Sequence, residues 1–196
     1  MKIKYNAPIV LSFAFLSAAV LILSQTLVHS LTEQWFAVPG KGNFSPGSFR
    51  NWVTLFTHVL GHANWPHLVS NFSFILLIGP ILEEIYGSSS LLIMICITAL
   101  VTGVLNVLFF SSGLFGASGV VFMMILLASF TNFNKGEIPL TFILILVLYL
   151  GRELFNSFGN SSGTGANISQ FAHIVGGFIG SLFGFFRNVR QARRDH

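Results

Sequence analysis

Charged residues are scarce in this chain. Only 8% of the 196 residues are Asp, Glu, Lys or Arg, whereas a typical soluble domain carries roughly 25%. Hydrophobic residues make up 53% of the sequence, and the mean hydropathy is +0.77. A water-soluble fold has no place to bury so much apolar surface, whereas a bilayer solvates it directly. The composition therefore predicts an all-α membrane protein, with one membrane domain over residues 1–196.

Two further scarcities exclude particular chemistries. Cys96 is the single cysteine and lies in an apolar run, which excludes a disulfide framework and a cysteine-based metal site. Asp195, in the C-terminal tail, is the one Asp, so a mechanism that needs two intramembrane Asp residues is excluded. The zinc-protease pattern His-Glu-x-x-His is absent. We expect no metal and no cofactor, although His58 and His62 leave a metal site open as the less favoured alternative to a structural role.

Six apolar stretches are long enough to span a bilayer, which takes about 20 helical residues. The first exceeds the ~7–15 apolar residues of a signal peptide, so we interpret it as a retained span. A long external segment, 29–66, is rich in aromatics and poor in charge, which predicts that it lies in the membrane interface. Residues 156–167, rich in Gly and Ser, are predicted to form a flexible external loop. The predicted spans are 8–28, 67–86, 91–110, 114–131, 137–155 and 168–186.

Basic residues orient the predicted bundle. Six spans place both termini on one side, together with most of the Lys and Arg residues, which favours both termini in the cytoplasm. A cluster of arginines after the last span favours contact with anionic membrane lipid and argues against nucleic acid as a partner. The predicted cytoplasmic residues are Lys2, Lys4, Lys135, Arg187, Arg190, Arg193 and Arg194, against Lys41, Arg50 and Arg152 outside.

Polar residues occur where three of the predicted spans begin on the external side. His67 and Asn71 open the second span, Ser118 lies about four residues into the fourth, and His173 about five residues into the sixth. With a rise of 1.5 Å per residue, all four lie within roughly 8 Å of the external helix ends. A hydroxyl, two imidazoles and an amide at one depth predict a shared site, with a Ser–His dyad and no acidic third member.

Small residues surround both members of the predicted dyad. Gly116 and Gly119 flank Ser118, where they permit close backbone approach, and the first turn of a helix offers unpaired N–H groups to an oxyanion. Gly177 shares a helix face with His173, so span six is expected to pack tightly against span four. Taken singly these signals are more often helix packing than catalysis, and their agreement in depth favours catalysis.

One acidic residue stands apart from this cluster. Glu83 lies near the other end of span two. It is either interfacial or turned inward, where it would tie span two to a neighbouring helix or loop.

These residues, in this order, resemble the rhomboid family of intramembrane serine proteases, in particular its bacterial GlpG type. The matching motifs are His67-x-x-x-Asn71, Gly116-x-Ser118-Gly119 and Ala172-His173-x-x-Gly176, and the resemblance covers all six spans. It implies a six-helix rhomboid bundle in a bacterial inner membrane, with Ser118 as nucleophile and His173 as general base. His67, Asn71 and the Ser118 N–H would form the oxyanion hole. Transmembrane proteins would be the substrates, and span five with the 156–167 loop would act as a gate.

The chain departs from the family pattern at two positions. Phe122 stands where many members carry a Tyr stacked beside the catalytic His, so an aromatic ring is kept and a phenolic hydrogen bond is lost. Trp52 is followed by Val53 where the family has Arg. Two alternatives stay open: a catalytically silent rhomboid-like protein that binds membrane helices, and a small transporter, which requires polar residues along the whole depth of the bundle.

Overall fold

The computed structural model describes residues 5–130 and, after them, 140, 143–144, 147–148, 151, 174–180, 182 and 186. The described chain is helical, apart from connections and one isolated antiparallel bridge between Val38 and Leu114. The later described residues are helical as well. The helices are α1 (Pro8–Thr26), α2 (Leu31–Trp35), α3 (Phe49–Thr57), a 3₁₀ turn (His58–Leu60), α4 (Trp65–Tyr86), α5 (Ser88–Phe109) and α6 (Ser118–Phe130).

Three of these helices, α1, α4 and α5, are long and apolar enough to cross a membrane. Their bounds agree within three residues with the first three predicted spans. Helix α1 packs against α4, and both α4 and α5 pack against α6. The core between them is made of fully buried aliphatic and thioether side chains, among them Leu21, Ile75, Leu91, Met123 and Leu127.

Helices α1 and α4 are joined by a close approach and by a carboxylate. A Cβ at Gly79 would lie 2.8 Å from Val10 Cγ2, so glycine lets the two helices touch. One turn further along α4, the buried Glu83 accepts hydrogen bonds from the backbone N–H groups of Ile9 and Val10, at 2.9 and 3.0 Å. The first N–H groups of a helix have no partner within it, so this carboxylate caps α1. Of the two interpretations of Glu83, the structure therefore supports the inward one.

The first connecting segment, residues 27–64, contains α2, α3 and the 3₁₀ turn. Helix α3 packs against α5, where a Cβ at Gly103 would lie 3.1 Å from a methyl group of Leu55. The exposed face of α3 carries aromatic side chains, whereas its buried face carries polar side chains beside Leu55. The exposed residues are Phe49, Trp52 and Phe56, and the buried polar residues are Asn51, Thr54 and, just beyond the helix, His58.

The prediction was wrong about the beginning of the fourth apolar helix. The helix begins at Ser118, not at residue 114, because Leu114 is extended and exchanges two backbone hydrogen bonds with Val38, at 2.9 and 3.0 Å. Gly116 then adopts a φ of +119°, which interrupts helical geometry. Ser118 is therefore the first helical residue and not about the fourth. The fifth and sixth predicted spans and the 156–167 loop fall largely outside the described residues.

Candidate active site

The segment before Ser118 is held by backbone hydrogen bonds to the first connecting segment. Besides the Val38–Leu114 pair, the N–H of Lys41 donates to Phe110 O at 2.6 Å. The N–H of Gly116 donates to His58 O at 2.9 Å. These bonds hold residues 110–116, which lead directly into α6, so they determine where the helix starts. The N-terminus of α6, with Ser118 at its first position, is thereby fixed against the 3₁₀ turn.

Gly116 lies against the side chains that open α4. A Cβ at this position would lie 2.9 Å from both Cε1 and Nε2 of His67, and 3.9 Å from Nδ2 of Asn71. The imidazole and the amide thus approach the backbone two residues ahead of Ser118. The structure therefore brings together three of the residues predicted from the sequence, His67, Asn71 and Gly116, next to the beginning of α6.

Local sequence explains why His67 and Asn71 occupy these positions. Asn64 caps α4 by accepting a hydrogen bond from the N–H of His67 at 2.9 Å, and Pro66 fits the first turn, where no N–H is needed. The helix therefore begins just before His67. A spacing of four residues then places Asn71 one turn deeper on the same face.

His62 holds the Asn71 amide in place, a role that the sequence did not assign to it. The Nδ2 of Asn71 lies 3.2 Å from Nε2 of His62, and the rings of His62 and His67 are 5.0 Å apart. Asn71 is buried, and so is His62. A buried amide needs a hydrogen-bond partner, and the spacing of nine residues carries no periodic signal that points to the partner.

Burial sets the protonation state of the two histidines before α4. Loss of hydration lowers the pKa of His58 to about 4, and burial together with the charge of His67 lowers the pKa of His62 to about 4. Both rings are therefore neutral near pH 7. Nδ1 of His62 lies 3.2 Å from Leu60 O, an acceptor only, so Nδ1 carries the proton. Nε2 then accepts from Asn71, which uses one of its two amide hydrogens and keeps the other.

His58 has a separate, structural environment. Its Nε2 lies 3.0 Å from Ala99 O and 3.4 Å from the Thr102 hydroxyl, both on α5. The ring therefore ties the 3₁₀ turn to α5. Among the residues described here, no group of three His, Cys, Asp or Glu side chains is placed to hold a metal ion.

Glycines of the helical residues 174–180 pack directly on the first two turns of α6. A Cβ at Gly176 would overlap the backbone of Gly119, and one at Gly177 would overlap the ring of Phe122. The predicted packing of this glycine face against α6 is observed, with Gly177 against the Phe122 ring and Gly176 against Gly119. His173 lies outside the described residues, directly before them in sequence.

The comparisons with known proteins agree with the family resemblance. Residues 50–189 match the Rhomboid domain family. The chain is 25% identical over 183 residues to the rhomboid protease GlpG of Pectobacterium atrosepticum, which covers 91% of this chain and 62% of that protein. It is 24% identical over 132 residues to the GlpG of Haemophilus influenzae, 66% of each chain. It is 26% identical over 190 residues to the GlpG of Yersinia enterocolitica, 95% of this chain and 65% of the relative. The chain thus spans 62–66% of the length of these curated relatives.

Proposed function

The chain belongs to the rhomboid family, and we propose that this integral membrane protein is a serine protease that cuts other membrane proteins in or near their transmembrane segments. The observation that carries the proposal is the approach of His67 and Asn71 to Gly116, two residues before Ser118. A hydroxyl, an amide and an imidazole gathered at the beginning of one helix are the groups that acyl transfer requires.

Ser118 is the proposed nucleophile and His173 its general base. Ser118 is the first residue of α6. His173 directly precedes the helical residues 174–180, whose glycines contact α6 at Gly119 and Phe122. Two helices that touch through glycines have a short interaxial distance, which supports direct contact between imidazole and hydroxyl. The single Asp of the chain is Asp195 in its tail, which supports a dyad without an acid.

The oxyanion hole is proposed to consist of the Ser118 N–H, the Asn71 amide and the His67 ring. Ser118 stands at the N-terminus of α6, which is the positive end of the helix dipole. Asn71 donates one hydrogen to His62 and keeps one for the oxyanion. Because His62 fixes the amide before substrate binds, this donor needs no reorganisation during the reaction.

The reaction proceeds through an acyl-enzyme. His173 takes the Ser118 proton while Oγ bonds to the peptide carbonyl carbon, and the negative charge moves to the carbonyl oxygen. The protonated ring then donates that proton to the leaving amine as the C–N bond breaks. Water attacks the resulting ester with His173 again as base, which releases the carboxyl product and restores Ser118.

The membrane arrangement proposed with this chemistry is a six-helix bundle over residues 1–196, with both termini in the cytoplasm and the site open to the other side of a bacterial inner membrane. The aromatic outer face of α3 supports the placement of the first connecting segment in the membrane interface, because Trp and Phe side chains are stable there. The polar side chains of α3 lie on its buried face, where the helix shields them from lipid. Partners are transmembrane substrates and lipid. The alternative, a silent rhomboid-like binding protein, has the same fold and no turnover.

The proposal is tested by cleavage of a fluorescent transmembrane substrate by detergent-purified protein. We expect turnover that resists EDTA and falls at least about 1,000-fold in both Ser118→Ala and His173→Ala. Ser129→Ala, which removes a hydroxyl from the same helix away from the site, serves as the matched control and should keep full activity. Undiminished cleavage by Ser118→Ala would rule out the mechanism, and binding without cleavage by the unmodified chain would favour the alternative.

A further inference from the structure

A cavity of about 350 Å³, with polar and apolar walls, lies between the first connecting segment and the loop that leads to Ser118. Its walls come from α2, from residues 37–40, from the beginning of α3 and from residues 111–115. The volume falls at the lower end of the range of small-ligand sites, roughly 300–1,000 Å³. Within the described part of the chain, the proposed catalytic residues do not line it, so it is separate from the active site.

Two opposite charges face this cavity. Glu33 of α2 and Arg50 of α3 both line it, in a chain with only six acidic and ten basic residues. Both are exposed, and neither forms an ion pair with any residue that the structure describes. Gln34 and the largely buried Asn51 add amide groups to the walls. An anion and a cation that line one cavity without pairing with each other are complementary to a ligand that carries both charges.

The surroundings of the cavity indicate where such a ligand comes from. Phe49 and Trp52, on either side of Arg50 in α3, are 78% and 51% exposed. Exposed aromatic residues next to a cation are typical of segments that lie at the level of lipid headgroups. A ligand of the cavity is therefore met in the headgroup layer and not in bulk water.

We propose that this cavity binds the zwitterionic headgroup of an aminophospholipid, phosphatidylethanolamine, with Arg50 on the phosphate and Glu33 on the ammonium group. The guanidinium presents paired N–H donors that match two phosphate oxygens. The carboxylate accepts N–H hydrogen bonds, which a primary ammonium donates and a quaternary one does not. Phosphatidylglycerol offers the phosphate without the cation.

The cavity is connected to the proposed active site through the backbone of residues 115 and 116. Phe115 lines the cavity and directly precedes Gly116, whose backbone contacts His67. A bound headgroup therefore contacts the wall formed by residues 111–115, and this segment leads through Gly116 and Ala117 into α6. The inference uses the interfacial placement of the first connecting segment in the proposed function, and it does not depend on the catalytic roles of Ser118 and His173.

The test is native mass spectrometry of the full chain as the Ser118→Ala variant, so that loss of protease activity cannot affect the result. Delipidated protein in detergent is titrated with phosphatidylethanolamine, phosphatidylcholine or phosphatidylglycerol of the same acyl chains. We expect one site that prefers phosphatidylethanolamine. Arg50→Gln should weaken binding of all three lipids about tenfold, as loss of one charge-assisted contact does. Glu33→Gln should abolish the preference for phosphatidylethanolamine and leave phosphatidylglycerol binding unchanged.

Two matched controls remove charges that do not face the cavity. Lys41→Gln and Glu84→Gln alter residues that are exposed elsewhere, and both should bind phosphatidylethanolamine like the parent. Thermal unfolding of each variant shows whether it remains folded. Equal binding of the three lipids, or an equal loss in Lys41→Gln and Arg50→Gln, would overturn the proposal. If the same cavity substitutions, made in the chain with Ser118 intact, change substrate cleavage in lipid-free detergent while lipid binding stays intact, the occupant is a segment of the substrate protein and the proposal is wrong.

Discussion

The two ends of α4 use buried polar side chains in opposite ways. At the Tyr86 end, Glu83 is surrounded by donors: two backbone N–H groups of α1 and the hydroxyl of Ser88, at 2.6 Å. At the Trp65 end, His62 is the one hydrogen-bond partner of Asn71 among the residues that the structure describes, and it takes one of the two amide hydrogens. A side chain whose acceptors are all engaged within the protein stabilises the fold, whereas one with a free donor is available to a substrate. Substitutions at the two ends should therefore separate stability from activity.

The largest effect is expected at the Trp65 end. Asn71→Ala removes a donor that is aimed and fixed before substrate binds, so kcat should fall about 100- to 1,000-fold, as for the loss of an oxyanion-hole donor elsewhere. Ser73→Ala, a polar truncation on the exposed side of the same helix, is the control and should leave kcat unchanged. Steady-state cleavage measures both. A change confined to KM would mean that Asn71 binds substrate without stabilising the oxyanion.

The opposite result is expected at the Tyr86 end. Glu83→Ala leaves one buried and one partly buried N–H group of α1 without an acceptor, and each unsatisfied buried donor costs roughly 1–3 kcal/mol. We expect the free energy of unfolding to fall by about 3 kcal/mol, with kcat of the folded protein retained. Denaturation in mixed micelles measures the first quantity and cleavage the second. Glu84→Gln, on the exposed side of the same turn, should change neither, and a large loss of kcat in Glu83→Ala would erase the contrast between the two ends.

A smaller effect is expected where glycines meet α6. Gly177→Ala places a methyl group against the Phe122 ring and the Leu126 methyl, which have to move, and overpacking of this kind costs about 1–3 kcal/mol. Phe122→Ala removes the ring and leaves only the Leu126 contact, so Gly177→Ala should cost less in that background. Unfolding measurements on the parent, the two single variants and the double variant give the coupling energy between the two positions. Strict additivity of the two substitutions would contradict the contact.

The effect of pH on stability is the smallest near neutrality, and it grows only in acid. His58 and His62 have a pKa of about 4 in the folded protein and 6.5 in the unfolded chain, so between these values the unfolded chain binds more protons. Stability is therefore constant above pH 6.5 and lost as the pH falls toward 4, by at most about 1.4 kcal/mol per pH unit for each histidine. His62→Gln should reduce this slope. An unchanged slope in His62→Gln would contradict a buried neutral ring.

Part of the site was predictable because its residues follow helical periodicity. His67 and Asn71 are one turn apart, and Gly177 was expected where span six packs against span four, as the structure has it. The partner of Asn71 was not predictable, because His62 lies in a connection without regular spacing. The dyad between Ser118 and His173 stays a prediction, since His173 lies outside the described residues.

The beginning of the fourth apolar helix shows the limit of hydropathy. Leu114 to Ala117 are as apolar as the helix that follows, so a hydropathy window includes them. The structure assigns Leu114 to a bridge with Val38 and turns the chain at Gly116. The pairing partner lies more than 70 residues earlier, a distance at which no local pattern carries information.

The sequence by itself determined the membrane environment, the positions of three spanning helices and the family, because bilayer thickness requires long apolar runs and the motifs are ordered along the chain. Only the tertiary structure decided which polar groups meet. It placed Glu83 on the N-terminus of α1, His62 on Asn71, and Glu33 with Arg50 around one cavity. These contacts depend on how helices distant in sequence pack, and packing is set by the fit of whole surfaces, which no short window of sequence contains.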